Sequence, residues 1–272
     1  MSQYKQRVID FFDQRTAYDS EGIGHPEEAN KLLEFAPNIQ AGQTVLDLAT
    51  GTGLVAIAAA ERTTSTGSVI GVDMSSGMLS QARSKIKDLG IDNLELIEAD
   101  IESIDFAPEQ FDVIFCCSAI MYVTDISRLL NKCHGWLKSE GYLVFSTSAK
   151  TAYWADIQVK VCQDLFGIDF PHILRPLWTP EKCRELLKQS GFQNIEIESD
   201  RRGKYLVLDE YPVSISCEEG GLMPKANPLV DLNAAQREEL QSSYQQAIND
   251  LVTEKGLWSD RSRLFVKAHK QR

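Results

Sequence analysis

The sequence is short of the residues that several functional classes need in quantity. It has four histidines and six cysteines in 272 residues. No two cysteines form a C-x-x-C pair, so a zinc-ribbon or finger spacing is excluded and no metal ligand set is expected. Positive charge is scarce: 28 Lys and Arg stand against 39 Asp and Glu, a net charge of −11. Nucleic-acid affinity is carried by basic surface, so DNA and RNA are not expected partners. The one basic run, Arg201-Arg202-Gly203-Lys204, reads as a solvated loop. No apolar stretch is long enough to span a bilayer, and no basic-then-apolar leader follows Met1, which points to a cytoplasmic protein. Cys116, Cys117, Cys133, Cys162, Cys183 and Cys217 read as reduced thiols, the first two as small hydrophobes inside a strand. Repeats and low-complexity segments are missing too. What remains is ordinary globular composition, 43% hydrophobic and 25% charged. The length suits one domain with insertions over 1–272 rather than two full domains.

The most informative stretch is Thr44 to Gly53. Thr44 to Leu48 is short and largely apolar, bounded by Gly42 and Gly51, as a buried strand should be. Gly51 and Gly53 bracket a turn tight enough for backbone amides to approach a ligand. From Leu54 an alanine-rich run reads as helix, whose N-terminal N–H groups face the same ligand. Strand, glycine turn and helix make a site for a nucleotide-like ligand. With Ala56 the stretch satisfies a dinucleotide fingerprint, G-x-G-x-x-A. Asp47 shifts the balance: a carboxylate there repels a pyrophosphate and suits the ammonium of a methionine moiety. An acid that only caps the turn is the other reading.

Strands and helices then alternate. Ser68 to Asp73, Leu94 to Ala99, Phe111 to Cys117 and Tyr142 to Thr147 read as strands, with helices from Ser75 to Leu89 and Asp125 to Leu137. That rhythm predicts a parallel, doubly wound α/β sheet. Phe192 to Glu198 and Arg263 to His269 add two strands, so the expected fold is a Rossmann-like, mostly parallel seven-stranded sheet. Ligands of such sheets bind beyond the carboxyl ends of the strands, where Asp47, Asp73, Asp100 and Ser118 all fall. Asp73 follows Gly53 by about 20 residues, the spacing of an acid that receives ribose hydroxyls. Helices are also expected over 3–18, Glu27 to Ala36, Trp154 to Phe166 and from Thr179 to Gly191.

Five stretches in order resemble the motifs of class I S-adenosylmethionine-dependent methyltransferases: Val45 to Gly53, Gly71 to Ser75, Glu98 to Ile101, Phe111 to Phe115 and Leu137 to Leu143. The nearest subgroup is similar to the small-molecule enzymes of quinone biosynthesis. The resemblance implies S-adenosyl-L-methionine as cofactor and a small organic acceptor. It places Asp47, Ala49, Gly51, Thr52 and Gly53 around the methionine half. It assigns Asp73 to the ribose, Met74 and Met78 to the adenine surroundings, Asp100 to the adenine amino group and Ile101 to its ring, with Ser118 at the end of the fourth strand. Core packing for the methionines and strand-end capping for Asp100 stay open. Two departures stand out: Ala49 replaces the family's first small glycine, and Cys117-Ser-Ala-Ile-Met replaces the Asn/Asp-Pro-Pro-Tyr of nucleic-acid amino methylases.

A sulfonium methyl is already activated, so the protein's task is alignment and water exclusion. If the acceptor must lose a proton, Tyr18, His25, Tyr122 and His172 are the candidate bases, each also readable as a structural residue. Residues 201 to 260 are expected to form an inserted lid whose helix, opened by an Asn233/Gln236 capping box, buries Leu240, Tyr244, Ile248 and Leu251. Lid elements are expected over 1–36, 149–180 and 201–260, around a cofactor core over 40–148. Trp154 and Tyr211 are candidate acceptor-binding residues. A dimerisation arm is the plainer reading of the insertion, and a homodimer its consequence. Two other functions stay open here: a nicotinamide-dependent oxidoreductase, and a non-catalytic S-adenosylmethionine-binding regulator.

Overall fold

The computed structural model describes residues 2–21, 24–207, 214–218, 222–223 and 225–271. Two helices lead, α1 (Gln3–Asp13) and α2 (His25–Phe35). The alternating core follows as β1 (Thr44–Leu48), α3 (Leu54–Thr63), β2 (Ser68–Asp73), α4 (Ser76–Leu89), β3 (Leu94–Glu98), β4 (Phe111–Cys116), α5 (Ile126–Trp136) and β5 (Leu137–Ser148). After it come α6 (Ala155–Phe166), α7 (Pro180–Gln189), β6 (Gln193–Asp200), β7 (Gly203–Leu206), α8 (Ala234–Asn249), β8 (Leu257–Asp260) and β9 (Arg263–His269). Helix starts follow the side chains that can cap them: Ser75, Asp125, Thr179 and Asn233 each accept from the backbone amide three residues on.

Seven strands form one sheet in the order β3-β2-β1-β4-β5-β9-β6, with β9 antiparallel to both neighbours. Because side chains alternate across a strand, β1 sends Leu46 and Leu48 to one face and Val45 to the other. On the first face they pack with Leu129, Leu130 and Trp136 of α5 and Leu187 of α7. On the second, Val45 meets Leu32 of α2 and Val55, Ala56 and Ala59 of α3.

The segment between β6 and β9 has its own small core. Leu240, Tyr244 and Ile248 of α8 pack with Val161 and Cys162 of α6 and with Leu257. The expected burial of Leu251 is not found: it lies past the end of α8, which stops at Asn249, and is 45% exposed. The basic run at 201–204 is not a loop throughout, since Gly203 and Lys204 open a two-stranded ribbon of β7 with β8. Arg202 is paired with Asp200. Arg263 faces Ser148 in β5 and Asp200 in β6, so the insertion leaves and rejoins the sheet at its carboxyl edge. Tyr211 lies outside the described residues.

Candidate active site

The carboxyl ends of β1, β2 and the turn after β3 carry three acids, each in a different environment. Asp47 is 1% exposed. Its Oδ2 accepts from Thr50 Oγ at 2.6 Å, while Oδ1 has no hydrogen-bond partner among the described residues. Burial pushes this carboxyl up to about 7 against the Thr50 bond and the pull of the Ala56 amide, and Asp73 adds repulsion. Gly71, beside Asp47 across the sheet, leaves room for Thr50: a Cβ there would lie 3.0 Å from the threonine Cγ2 and Oγ1.

Asp73 accepts from the Gly51 amide on Oδ2 and from the Ser75 amide on Oδ1, both at 2.8 Å. Burial raises its pKa, and those amide bonds oppose the rise. Each oxygen retains accepting capacity for a pair of hydroxyls. Asp100 is held from the other side. Its Oδ1 accepts from the Glu102 amide at 3.0 Å, and its Oδ2 from Lys5 Nζ of α1. Lys5 also reaches Glu102 Oε2 at 2.9 Å.

Asp73 and Asp100 border a cleft of about 740 Å³, open solvent included. The structure brings Tyr18, Ala49, Gly51, Asp73, Met74, Met78, Asp100, Ile101, Ser118 and Tyr122 to its walls. A second cleft of about 400 Å³ adjoins it through Tyr18, Ala49, Gly51 and Ser118, and is lined also by Asp47, Thr52 and His25. A Cβ at Gly51 would meet nothing within 4 Å, so the turn leaves open space above itself. Gly53 lies behind this turn, capping α3. Ala49 (φ 54°) and Ser118 (φ 52°) both take the left-handed conformation, which costs a side-chain-bearing residue about 1–3 kcal/mol. Ala49 therefore fills a position that glycine would fill without strain.

The candidate bases are not equivalent. Arg15 Nη2 lies 3.1 Å from His25 Nε2. A guanidinium can only donate, so Nε2 carries the lone pair and the ring is the Nδ1–H tautomer. Burial, with Arg15 adding to it, pulls the His25 pKa down to about 4. Tyr18 stacks on this ring at 3.9 Å, and burial raises the pKa of both Tyr18 and Tyr122. None of the three offers a free basic lone pair. His172 stands apart from the two clefts in an outer groove with Met121, Val123 and Arg175. Its Nδ1 accepts from the Leu174 amide at 3.2 Å, and burial lowers its pKa to about 4. Trp154 is not on either cleft either: its Nε1 donates to the Trp258 carbonyl at 3.2 Å and its ring packs against the α6–α8 core.

The leading helices were expected to cover the site, but Lys5, Val8, Ile9 and Phe12 of α1, which line the main cleft, and Glu28, which lines the second, were not singled out. The helical spacing of Val8, Ile9 and Phe12 was visible, but an amphipathic face does not say which of its residues reach a ligand. Glu28 was invisible because its partners, Ser118, Ser146 and Arg263, are distant in the chain.

A family described as "Methyltransferase domain" matches residues 39–178. Aklanonic acid methyltransferase DauC of Streptomyces sp. (strain C5) is 29% identical over 147 residues, 54% of this chain and 67% of that protein. The ubiquinone/menaquinone biosynthesis C-methyltransferase UbiE of Klebsiella pneumoniae is 36% identical over 174 residues, 58% of this chain and 69% of that one. Other relatives are matched over 45% and 43% of their length. Among solved structures, phosphoethanolamine N-methyltransferase 2 of Haemonchus contortus, bound to phosphomonomethylethanolamine and S-adenosylhomocysteine, superposes with a TM-score of 0.61 at 17% identity. The superposition covers 100% of this chain and 61% of that one, a likeness of fold.

Proposed function

The chain belongs to the S-adenosylmethionine-dependent methyltransferase-domain family, and from that premise we propose that it methylates a small organic acceptor of quinone or natural-product metabolism. The observation that carries the cofactor placement is the unpartnered, buried Asp47 Oδ1 beside the open space over Gly51. A buried carboxylate with one oxygen unpaired is stabilised by a cation and destabilised by a pyrophosphate, so the residues fit S-adenosylmethionine and not a dinucleotide. Asp47 would take the ammonium, Asp73 the ribose hydroxyls, and Asp100 the adenine amino group between Met74 and Ile101. S-adenosylmethionine supplies an electrophilic methyl on a sulfonium sulfur. The chain's part is to hold the acceptor in line and to exclude water, worth about 7–11 kcal/mol when the geometry is good.

Because His25 has its lone pair engaged and the tyrosines are held neutral, the acceptor enters in its nucleophilic form. Helix α1 and the 201–260 insertion act as lid elements over the carboxyl edge. The free state of all six cysteines suits a reducing compartment. Two measurements test this reading. Calorimetry should give S-adenosylhomocysteine binding with no response to NAD(P). Transfer of tritiated methyl across quinols, phenols, carboxylic acids and amines should then find an acceptor. Micromolar NAD(P) binding without a response to S-adenosylhomocysteine would sink it.

A further inference from the structure

Tyr18, Ala49, Gly51, Cys117 and Ser118 line both clefts. On the cofactor placement above, the methionine chain runs from Asp47 in the second cleft to the ribose acid Asp73 in the main one. The sulfonium therefore crosses the boundary that these residues share, and an acceptor must reach it there. Ala49 and Gly51 bring no polar side chain to that boundary. Ser118 does, and it stands in the left-handed conformation at φ 52°. Strain of this kind persists only where surrounding contacts enforce it.

At Ser118 those contacts are visible. Its amide donates to Ser146 Oγ at 2.9 Å, and its own Oγ donates to Glu28 Oε1. Ser146 Oγ donates to the same carboxylate oxygen at 2.7 Å, and Arg263 Nε to the other, Oε2, at 2.9 Å. Glu28 is 2% exposed, and Ser146 and Arg263 are buried with it. Burial works against the Glu28 charge, but Arg263 and the two serine hydroxyls outweigh it and hold its pKa below the ordinary carboxylate value. Glu28 is thus an ionised carboxylate, which can only accept. A serine hydroxyl has one proton, and that of Ser118 is committed to Glu28. Among the described residues nothing donates to Ser118 Oγ. What it turns to the clefts is therefore lone pairs alone. Glu28, on α2 and 90 positions away in the chain, sets that polarity.

We propose that Ser118, locked as a hydrogen-bond acceptor by Glu28, binds the methyl acceptor through an O–H or N–H on or beside the atom that is methylated. Ser118 is then a catalytic residue in contact with the substrate, while Glu28, Ser146 and Arg263 are positioning residues. The acceptor class follows from the polarity. It is uncharged, nucleophilic as it stands, and carries a donor: a phenol, an enol, or a primary or secondary amine. A carboxylate would meet only lone pairs, and a thioether or tertiary amine has no proton to give, so in each case Ser118 stays unpaired. The bond strengthens as the reaction proceeds. The acceptor's electron pair forms the new bond to the methyl carbon while the S–C bond breaks and leaves its pair on sulfur. Positive charge passes to the acceptor, whose O–H or N–H becomes a stronger donor, so Ser118 holds the transition state more tightly than the ground state. From an oxygen, the proton then passes to Ser118 Oγ as that atom releases its own to Glu28 Oε1. Glu28 returns it to solvent through the second cleft, which it lines. An amine product carries its proton out with it.

This proposal rests on the methyltransferase reading, and the test separates the two. The full chain, wild type, Ser118→Ala and Glu28→Gln, is first titrated with S-adenosylhomocysteine. Tritiated methyl transfer is then measured to 1-naphthol, catechol and aniline, with benzoate, thioanisole and N,N-dimethylaniline as contrasts that lack a donor. The expected result is transfer to a donor-bearing acceptor and to none of the contrasts. In Ser118→Ala, kcat should fall at least about tenfold, while KM changes less than about threefold and S-adenosylhomocysteine affinity less than about twofold. A merely structural role would move affinity together with kcat. The amide of Glu28→Gln can donate to Ser118 and turn its proton toward the cleft, so this variant should lose a similar factor; should it fail to fold, Ser118→Ala decides alone. Wild-type kcat in Ser118→Ala or in a folded Glu28→Gln, transfer to any contrast, or transfer to none of the donor-bearing acceptors overturns the proposal. So does a Ser118→Ala protein whose S-adenosylhomocysteine affinity weakens beyond about twofold, which would give the hydroxyl to the cofactor ammonium instead. If the wild type fails to bind S-adenosylhomocysteine, the methyltransferase reading falls and takes this proposal with it.

Discussion

Helices α1 and α2 are each 11 residues long and both border the clefts, yet they are attached by different forces. Helix α2 buries Glu28, Ala29, Leu32 and Leu33 and is tied to β9 through the Glu28–Arg263 pair. Helix α1 buries only Tyr4 and Val8. Beyond the edge-on contact of Phe12 with Tyr122, its other attachments are mostly polar and near the rim: Lys5 to Asp100 and Glu102, Asp13 to Ser75 and to the Gly77 amide, and Tyr4 Oη to the Tyr122 carbonyl at 2.8 Å. Apolar burial is independent of what occupies the clefts. The attachments of α1, by contrast, end on Asp100 and next to Asp73, the acids assigned to the cofactor. On the proposed cofactor placement, helix α2 is an anchor and α1 a clamp whose docking would be coupled to the ligand.

The largest effect should come from breaking the anchor. Glu28→Ala leaves Arg263 buried without its counter-charge, and such losses cost about 3–5 kcal/mol. Urea unfolding of the full chain should show that loss as a lowered midpoint. A midpoint within error of the wild type would mean that α2 is held no more firmly than α1.

The cofactor site between the two helices comes next. Asp73→Ala removes charge-assisted hydrogen bonds worth about 1.5–3 kcal/mol. S-adenosylhomocysteine should bind at least about tenfold more weakly, with the circular dichroism spectrum unchanged. An unaltered dissociation constant would show that Asp73 is not the ribose acid.

This half of the site was legible in the sequence because its parts are local. Asp47, Gly51 and Gly53 lie within one strand–turn–helix, and Asp73 and Asp100 end the next two strand segments, so periodicity alone brings them to one edge. The mostly parallel seven-stranded sheet followed from the same alternation. Contacts between residues far apart in the chain were not legible. Tyr153 and Arg263 are 110 positions apart and meet through a left-handed kink that no residue preference announces. Trp154 was singled out for being a large aromatic in the right segment, but the kink turns its indole to the α6–α8 core and its neighbour to Arg263. Histidines chosen by type fared unevenly for the same reason: His25 is at the second cleft, His172 in a separate groove.

A smaller effect tests the cleft on the anchor's side. The Asp47 carboxyl sits at about 7 in the folded protein against an ordinary 3.8. Between those values the native state holds a proton that the unfolded chain has released, so this residue makes stability fall as pH rises through that window. Cofactor binding has the opposite sign. The ammonium needs the ionised carboxylate, so affinity for S-adenosylhomocysteine should weaken as pH drops below about 7, by up to about tenfold per unit. Calorimetry in buffers of different ionisation enthalpy should register proton release at pH 6. Asp47→Asn should flatten the profile, and a wild-type slope in that variant would assign the titration to another group.

The smallest effect on stability, and the sharpest on the contrast between the helices, is expected at Lys5. Its ammonium lies between Asp100 and Glu102, and all three side chains are 14–17% exposed. Pairs near the surface contribute about 0.2–1 kcal/mol each, so Lys5→Ala should lower global stability by about 1 kcal/mol or less. The local consequence is larger than the global one, because α1 has little else to hold it and can open without the sheet unfolding. Amide exchange over residues 3–13 should accelerate about fivefold in the variant, the factor that about 1 kcal/mol supplies. Exchange in α2 should not change. Adding S-adenosylhomocysteine should slow exchange in α1 of the wild type, since the ligand fills the cleft that Val8, Ile9 and Phe12 cover. Lys5→Ala that accelerates both helices equally would show that they move as one unit, and the division into anchor and clamp would then fail.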